Sequence, residues 1–160
     1  MFKLFSKRDA SIKLFAPMSG EIVKLEDVPD PVFAGKMIGD GLAIDPVDGE
    51  VFAPCAGKVV QVFPTKHALG IHTKEGVDVL IHIGIDTVGL KGQGFKAFIS
   101  EGDDVRMGDK LLEVDLEYIK ENAKSTITPV LITNMDKVQD ISFGEGRVAS
   151  KKDVLMELRY

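Results

Sequence analysis

Apolar and polar residues alternate along most of the chain, which is the period of a β-strand with two different faces. The clearest example runs from Val77 to Asp86, where valine or isoleucine occupies every second position. Lys74-Glu75-Gly76 precedes it and has the composition of a turn, so we predict that the segment from Thr65 to Thr73 returns antiparallel as a hairpin. All three histidines of the chain fall in this hairpin: His67, His72 and His82.

The length of the turn decides whether two of these histidines share a face. Residues directly opposite each other across a hairpin point to the same side, with Cβ atoms about 4.5–5.5 Å apart. A four-residue turn, Thr73 to Gly76, places His67 opposite His82; a two-residue turn leaves them diagonal, and a three-residue turn separates them. We predict the even turn, which pairs His67 with His82 and gives His72 the wrong parity to join either.

A duplication runs through the first half of the chain. The stretch Phe15 to Leu25 recurs as Phe52 to Val62, and both copies read as a strand, a Pro/Gly turn and a second strand. A weaker echo links Ile99–Val105 with Ile141–Val148. We therefore predict an all-β fold, an antiparallel β-sandwich or barrel built from duplicated hairpin-like units.

Helical signals are few. One short helix is predicted near residues 115–123, because Asp115 is suited to an N-cap and apolar residues follow at helical spacing. Between the repeats, prolines and glycines exclude a long helix, although residues 32–38 have room for a single turn. We divide the chain into a flexible N-terminal tail, residues 1–11, and a single domain, residues 12–160.

Composition narrows the class of protein. The 160 residues are 44% hydrophobic and 28% charged, as in a globular domain, and the net charge of −5 argues against nucleic acid as the main partner. The single cysteine, Cys55, excludes an internal disulfide, and we expect it to be buried rather than reactive. No apolar run is long enough for a membrane span or a signal peptide, so the cytoplasm is the expected location. The oligomeric state is left open, with a monomer as the default.

The first residues allow two interpretations. Phe2, Leu4 and Phe5 lie among basic residues, and the simpler interpretation is a frayed tail. The alternative is a short basic amphipathic segment that makes weak contact with an anionic membrane surface.

Two facing imidazoles suggest a particular chemistry. The unperturbed pKa of histidine is about 6.5, and two adjacent rings cannot both be charged cheaply. One neutral nitrogen can then act as a nucleophile while the neighbouring N–H donates to an anion, which suits reversible phosphoryl transfer. Thr65 is placed to fix the tautomer of His67. A structural histidine pair and a zinc site remain alternatives, and for zinc only Asp86 lies obviously near as a third ligand.

The chain closely resembles the enzyme IIA component of the glucose class of the phosphoenolpyruvate-dependent sugar phosphotransferase system. The likeness extends from about Leu14 to Tyr160, and the matching stretches follow the family's order. They are Asp27-Val28-Pro29-Asp30, Gly39-Asp40-Gly41-Leu42-Ala43-Ile44, Pro64-Thr65-Lys66-His67-Ala68, Ile81-His82-Ile83-Gly84-Ile85-Asp86-Thr87-Val88, Leu90-Lys91-Gly92-Gln93-Gly94-Phe95 and Ser125-Thr126-Ile127-Thr128-Pro129-Val130.

This resemblance implies a function and roles for the histidines. His82 would accept the phosphoryl group on Nε2, His67 would hold that group, and Thr65 would hydrogen-bond to His67. The group would arrive from the carrier protein HPr and leave for a cysteine on the IIB domain of a membrane sugar transporter (IICB). No cofactor is implied, and the choice of sugar belongs to the membrane partner.

The resemblance also implies a docking surface around the histidines. Asp30 and Asp86 would lie at its edge and pair with an arginine of HPr. Pro31 and Leu80 depart from residues common in the family, but both are apolar. Gly84 has two interpretations: room for a phosphoryl group, or a twist in the strand. The apolar residues of the surface would be Val32, Phe33, Met37, Phe63, Leu80 and Val88.

Two other functions compete with the phosphocarrier. A zinc hydrolase of the lysostaphin type needs a His-x-His pair, and Leu80 occupies the position two before His82. Weak zinc capture by His67 and His82, completed by a partner's carboxylate, is compatible with phosphoryl transfer. A regulatory module would use the same apolar face on metabolic enzymes and respond to the charge of about −2 that phosphorylation adds.

Overall fold

The computed structural model describes residues 10–160. The predicted tail, residues 1–11, lies outside this range except for its last two residues. Ser11 already pairs with Arg159 in a strand, so the folded domain begins one residue earlier than predicted.

Short strands dominate the described part of the chain. Its two α-helices are α1 (Pro31–Ala34) and α2 (Leu116–Asn122), and three 3₁₀ turns span Leu25–Asp27, Val88–Leu90 and Met135–Lys137. The strands are β1 (Ser11–Phe15), β2 (Gly20–Lys24), β3 (Asp40–Pro46), β4 (Glu50–Phe52), β5 (Gly57–Val62), β6 (Ala68–His72), β7 (Asp78–His82), β8 (Phe95–Ala97), β9 (Asp104–Val105), β10 (Lys110–Val114), β11 (Thr128–Ile132), β12 (Asp140–Phe143), β13 (Arg147–Val148) and β14 (Val154–Arg159).

The strands form one large sheet and two small ones, and the pairs within them are antiparallel. The large sheet has the order β13-β2-β3-β11-β7-β6-β5-β9, and the small sheets have the orders β1-β14-β12 and β4-β10-β8. The two halves of this arrangement match strand for strand, with β1 and β2 corresponding to β4 and β5. The predicted all-β fold with duplicated units is confirmed.

Buried and half-buried side chains alternate along β7, as the alternation of apolar and polar residues in the sequence predicts. Val79 and Ile81 are at most 1% exposed, whereas Leu80 and His82 are half-buried. Val77, Ile83 and Ile85, which flank the strand, are fully buried. A second, smaller core lies beneath α1 and the turn before it, and it contains Leu25, Val28, Phe33, Ala43, Ile85 and Leu131.

The helix predictions hold. The Asp115 side chain accepts a hydrogen bond from the backbone N–H of Tyr118 at 3.1 Å, which is the N-cap of α2. The single turn expected within residues 32–38 is α1, which begins at Pro31 and is capped by Asp30. Cys55 is buried as predicted, and burial, together with the negative charge of Glu75, raises the pKa of its thiol to about 12.

The hairpin is present, but its predicted turn length is wrong. Ala68 lies opposite His82 and His72 opposite Asp78, and the backbone N–H of Thr73 donates to Val77 at 2.9 Å. The loop is therefore three residues, Lys74 to Gly76, closed by Gly76 at φ +95°. The Thr73 hydroxyl accepts a second hydrogen bond from the Val77 N–H, which fixes the odd register.

This register also corrects the parity argument for His72. His72 lies on the same face of the hairpin as His82, but it faces Asp78, four residues before His82 along β7. Its Nδ1 is 2.5 Å from a carboxylate oxygen of Asp78. Distance along the strands, rather than parity, keeps His72 apart from the other two histidines.

Candidate active site

The rings of His67 and His82 meet edge to face, with centroids 5.0 Å apart and an interplanar angle of 83°. The predicted contact is present, although the odd register of the hairpin would send His67 to the opposite face. The conflict is resolved because β6 begins only at Ala68. His67 is the last residue of a loop, and Lys66 before it adopts a left-handed conformation with φ +60°.

This loop is held by backbone hydrogen bonds at both ends. The Lys66 N–H donates to the Phe63 carbonyl at 2.7 Å, which closes a turn with Pro64 in its second position. The Phe63 N–H donates to the Ala68 carbonyl at 3.0 Å. The Ile83 N–H donates to the His67 carbonyl at 2.6 Å, so the loop is joined to the chain that carries His82.

His82 has a defined tautomer. Its Nδ1 lies 2.8 Å from the carbonyl oxygen of Gly84. A carbonyl only accepts, so Nδ1 carries the proton and donates it. In the neutral ring the lone pair is therefore on Nε2, which is the nitrogen available for reaction.

Gly84 is required by the backbone. Its φ is +73°, and a Cβ atom there would lie 2.7 Å from Cγ2 of Thr87 and 2.9 Å from the carbonyl oxygen of Ser125. This favours the interpretation of Gly84 as a twist in the chain over that of free space for a phosphoryl group. Because β7 ends at His82 and Asp86 also has positive φ, strand alternation does not place Gly84 and Asp86 on the face of His82.

His67 is almost enclosed, with 4% of its surface exposed. Its Nδ1 is 2.5 Å from the hydroxyl oxygen of Thr65. The ring of Phe63 packs edge-on against it at 5.3 Å between centroids. The Thr65 hydroxyl is hydrogen-bonded to Nδ1 of the ring, which leaves Nε2 free to contact another group.

Burial sets the protonation state of both histidines. Burial, and to a smaller extent the charge that His82 would carry, together lower the pKa of His67 to about 4. Burial also lowers the pKa of His82, opposed by its hydrogen bond to Gly84 and by the negative charges of Asp30 and Asp86. His67 is therefore neutral at pH 7.

Several of the predicted surface residues contact the histidines or support them. The Phe33 ring lies 4.8 Å from the ring of His82, but the residue is only 5% exposed and belongs to the smaller core. Leu80 is half-buried against that core. Asp30 caps α1 by accepting from the Val32 N–H at 2.8 Å. Phe33 is thus a support beneath His82 more than part of an open surface.

The remaining predicted apolar residues are exposed. Val32 is 40% exposed, Met37 75% and Val88 59%. Val32 lies on α1, Met37 follows it, and Val88 begins the 3₁₀ turn after Asp86. Ile38, which follows Met37, is 38% exposed. A role for these residues in docking stays a prediction.

Within residues 10–160, no group of three or more His, Cys, Asp or Glu side chains is placed to hold a metal ion. This part of the chain offers no ligand set to the zinc-hydrolase alternative. A cavity of about 590 Å³ lies at the other end of β6, between Ile12, Cys55, His72 and Met107. Neither His67 nor His82 lines it, so the histidine pair does not share this space.

The pair combines two chemical capacities. A neutral imidazole whose Nδ1–H is held by a carbonyl presents the Nε2 lone pair as a nucleophile. A second neutral imidazole 5.0 Å away supplies a polar group for an anion that arrives between them. Both histidines and Thr65 were predictable from the sequence. The contact with the Gly84 carbonyl was not, because its only signal is a glycine two residues after His82.

Comparisons with known proteins all indicate the same family. The family model described as phosphoenolpyruvate-dependent sugar phosphotransferase system, EIIA 1, matches residues 12–138. The glucose-specific EIIA component of Staphylococcus epidermidis is 54% identical over 142 residues, covering 87% of this chain and 86% of that protein. The glucose-specific EIIA component of Halalkalibacterium halodurans is 59% identical over 125 residues, covering 78% and 72%.

A solved structure agrees with the fold. Glucose permease IIA from Mycoplasma capricolum superimposes with a TM-score of 0.86 at 40% sequence identity, covering 92% of this chain and 96% of the other. Among residues 10–160, no helix has the length and apolar character needed to cross a membrane.

Proposed function

The chain belongs to the EIIA 1 family of the phosphoenolpyruvate-dependent sugar phosphotransferase system, and from this premise we propose that His82 carries the phosphoryl group. The observation that supports His82 most strongly is its hydrogen bond to Gly84, which leaves Nε2 as the free nucleophilic nitrogen. His67 and Thr65 would complete the site.

The transfer step follows from that tautomer. The Nε2 lone pair of His82 attacks phosphorus, the bond from phosphorus to the donor's histidine nitrogen breaks, and its electron pair returns to the donor imidazole. The phosphorylated ring keeps its proton on Nδ1, where the Gly84 carbonyl stabilises the positive charge that develops. Onward transfer repeats the displacement with a thiolate as the attacking group.

His67 would hold the phosphoryl group rather than carry it. Its Nδ1 is hydrogen-bonded to Thr65. With the Thr65 hydroxyl as donor, the neutral ring carries its proton on Nε2, and this N–H can donate a hydrogen bond to a phosphoryl oxygen. A buried N–H that meets an oxyanion in a site of low dielectric is a strong stabilising contact. Thr65 would thus orient His67.

We propose HPr as the donor and a cysteine of the IIB domain of a membrane sugar transporter as the acceptor. The exposed apolar residues Val32, Met37 and Val88 would form the contact area, with Phe63 and Leu80 beneath it. Asp30 and Asp86 would attract a basic patch on HPr. The relatives above are named for glucose, so glucose is the first sugar to test.

The test is phosphorylation of purified variants with phosphoenolpyruvate, the general phosphotransferase enzyme and HPr. We expect the unchanged protein to gain one phosphoryl group that is labile in acid and stable in base. His82→Gln should gain none. His67→Gln should still be labelled but fail to pass the group to IIB, and His72→Gln, the control, should behave as the unchanged protein.

Two results would contradict this assignment. Labelling of His82→Gln would mean that another residue accepts the group. Normal onward transfer from His67→Gln would remove the role given to the second ring, while leaving His82 as the acceptor.

A further inference from the structure

Two fully buried threonines surround the backbone that holds His82. Thr87 and Thr128 are both 0% exposed, and their hydroxyls bond to backbone groups rather than to a histidine ring. The Thr87 hydroxyl donates to the carbonyl of Ile83 at 2.7 Å. The Thr128 hydroxyl oxygen accepts from the N–H of Gly84 at 3.3 Å and donates to the carbonyl of Thr126 at 3.0 Å.

These contacts fix both ends of one peptide group, the one that joins Ile83 to Gly84. Its carbonyl is held by Thr87 and its N–H by Thr128. The next peptide group, from Gly84 to Ile85, is held in the same way: its carbonyl accepts from Nδ1 of His82, and its N–H donates to Ser125 at 2.9 Å. Every backbone polar group on either side of Gly84 therefore has a partner.

The arrangement is needed because Gly84 is unusually free. A glycine at φ +73° can rotate to several other conformations at little steric cost. A rotation about Gly84 would carry its carbonyl away from Nδ1 of His82. A free imidazole in water prefers its proton on Nε2, so without the carbonyl the reactive nitrogen would be the protonated one.

We propose that Thr87 and Thr128 are positioning residues that clamp Gly84 and thereby keep the proton of His82 on Nδ1. This rests on the proposed function, because the clamp matters for activity only if His82 reacts through Nε2. The hydroxyls act through the backbone and not on the phosphoryl group. Valine has nearly the shape of threonine and lacks the hydroxyl, so it removes this action with little change in packing volume.

The experiment uses the full chain and the variants Thr87→Val, Thr128→Val, Thr87→Ser and Thr128→Ser. Nitrogen-15 NMR of the histidine side chains above pH 7 reports which ring nitrogen of His82 carries the proton. The rate of phosphorylation by phospho-HPr is measured on the same samples. We expect the valine variants to gain the Nε2–H tautomer and to react about tenfold or more slowly, and the serine variants to recover both properties.

Thr73→Val is the matched control. Thr73 is also 0% exposed and accepts a backbone hydrogen bond, from Val77, but at the far end of the hairpin. It should lower stability as the other valine variants do, while leaving the His82 tautomer and the phosphorylation rate unchanged. The same tautomer change in Thr73→Val would overturn the proposal, since general loosening would then be the cause.

Other outcomes are also decisive. Valine variants that keep the tautomer and rate of the unchanged protein would overturn the clamp, while the labelling of His82 would still support the proposed function. If Thr128→Val does not fold, Thr87→Val decides, because its hydroxyl holds the other end of the same peptide group. A proton on Nε2 of His82 in the unchanged protein would overturn the proposal without any variant.

Discussion

At the scale of single residues, the role proposed for His67 depends on its ring being neutral and buried. The ring is almost enclosed, and its pKa of about 4 means that it is neutral at pH 7. Under the proposed function, its polar contact with the phosphoryl group would form only when that group is present. Such contacts favour the transfer step over the resting state, which is the condition for a contribution to rate.

Gly84 offers a test of how closely the chain is packed behind His82. Gly84→Ala should lower the free energy of unfolding by about 2–4 kcal/mol, since strain at positive φ adds to overlap with Thr87 and Ser125. Gly76→Ala should cost only about 1–2 kcal/mol, because its φ is also positive but nothing lies within 4 Å of the added carbon. Urea denaturation of both variants measures the difference. Equal decreases in the free energy of unfolding would show that the atoms around Gly84 move to accommodate the added carbon without destabilising the fold.

At the scale of elements, Asp30 serves two purposes that can be separated. Its side chain caps α1, and its negative charge acts on His82. Asp30→Asn keeps a capping oxygen, so we expect a stability within about 0.5 kcal/mol of the unchanged protein but slower phosphorylation by HPr. Asp30→Ala should be equally slow and also about 1 kcal/mol less stable.

Thermal denaturation and initial phosphorylation rates distinguish the two variants. Loss of stability in Asp30→Asn would mean that the charge, and not the cap, supports α1. A normal phosphorylation rate in Asp30→Asn would remove Asp30 from the docking surface.

The hairpin shows which features of an element the sequence can predict. Alternation of Val77, Val79 and Ile81 required a strand with one buried face, and the structure has it. Loop length was not predictable in the same way, because Lys-Glu-Gly suits loops of three or four residues equally. The left-handed conformation of Lys66, which turns His67 towards His82, is a backbone state that no pattern of apolar residues indicates.

At the scale of the whole molecule, a duplicated scaffold carries a single site. In one half, Leu131 on β11 lies opposite Gly41 on β3. In the other half, His82 on β7 lies opposite Ala68 on β6 in the same way. The structural counterpart of His82 is thus Leu131, a fully buried leucine of the smaller core. The shared Phe-Ala-Pro stretches predicted the duplication. They did not predict that β3 pairs with β11, although strands β4 to β10 separate the two in the sequence.

The two histidines should also make the stability of the whole domain depend on pH. The pKa of His67 is about 4 in the folded state against 6.5 as its ordinary value, and that of His82 is lowered in the same direction. Between these values the unfolded chain binds more protons, so stability is greatest above pH 6.5 and falls as the pH is lowered towards 4. We expect His67 alone to account for a loss of about 2 kcal/mol between pH 7 and pH 5.

Chemical denaturation at a series of pH values measures this slope, and His67→Gln isolates the histidine's part. Glutamine does not titrate, so the variant should lose stability less steeply below pH 6.5, whatever its absolute stability at pH 7. The comparison of slopes removes the packing cost of the substitution. If the slopes are the same, then His67 is protonated without penalty in the folded state, and the buried neutral ring that the proposed phosphoryl stabilisation requires is not present in solution.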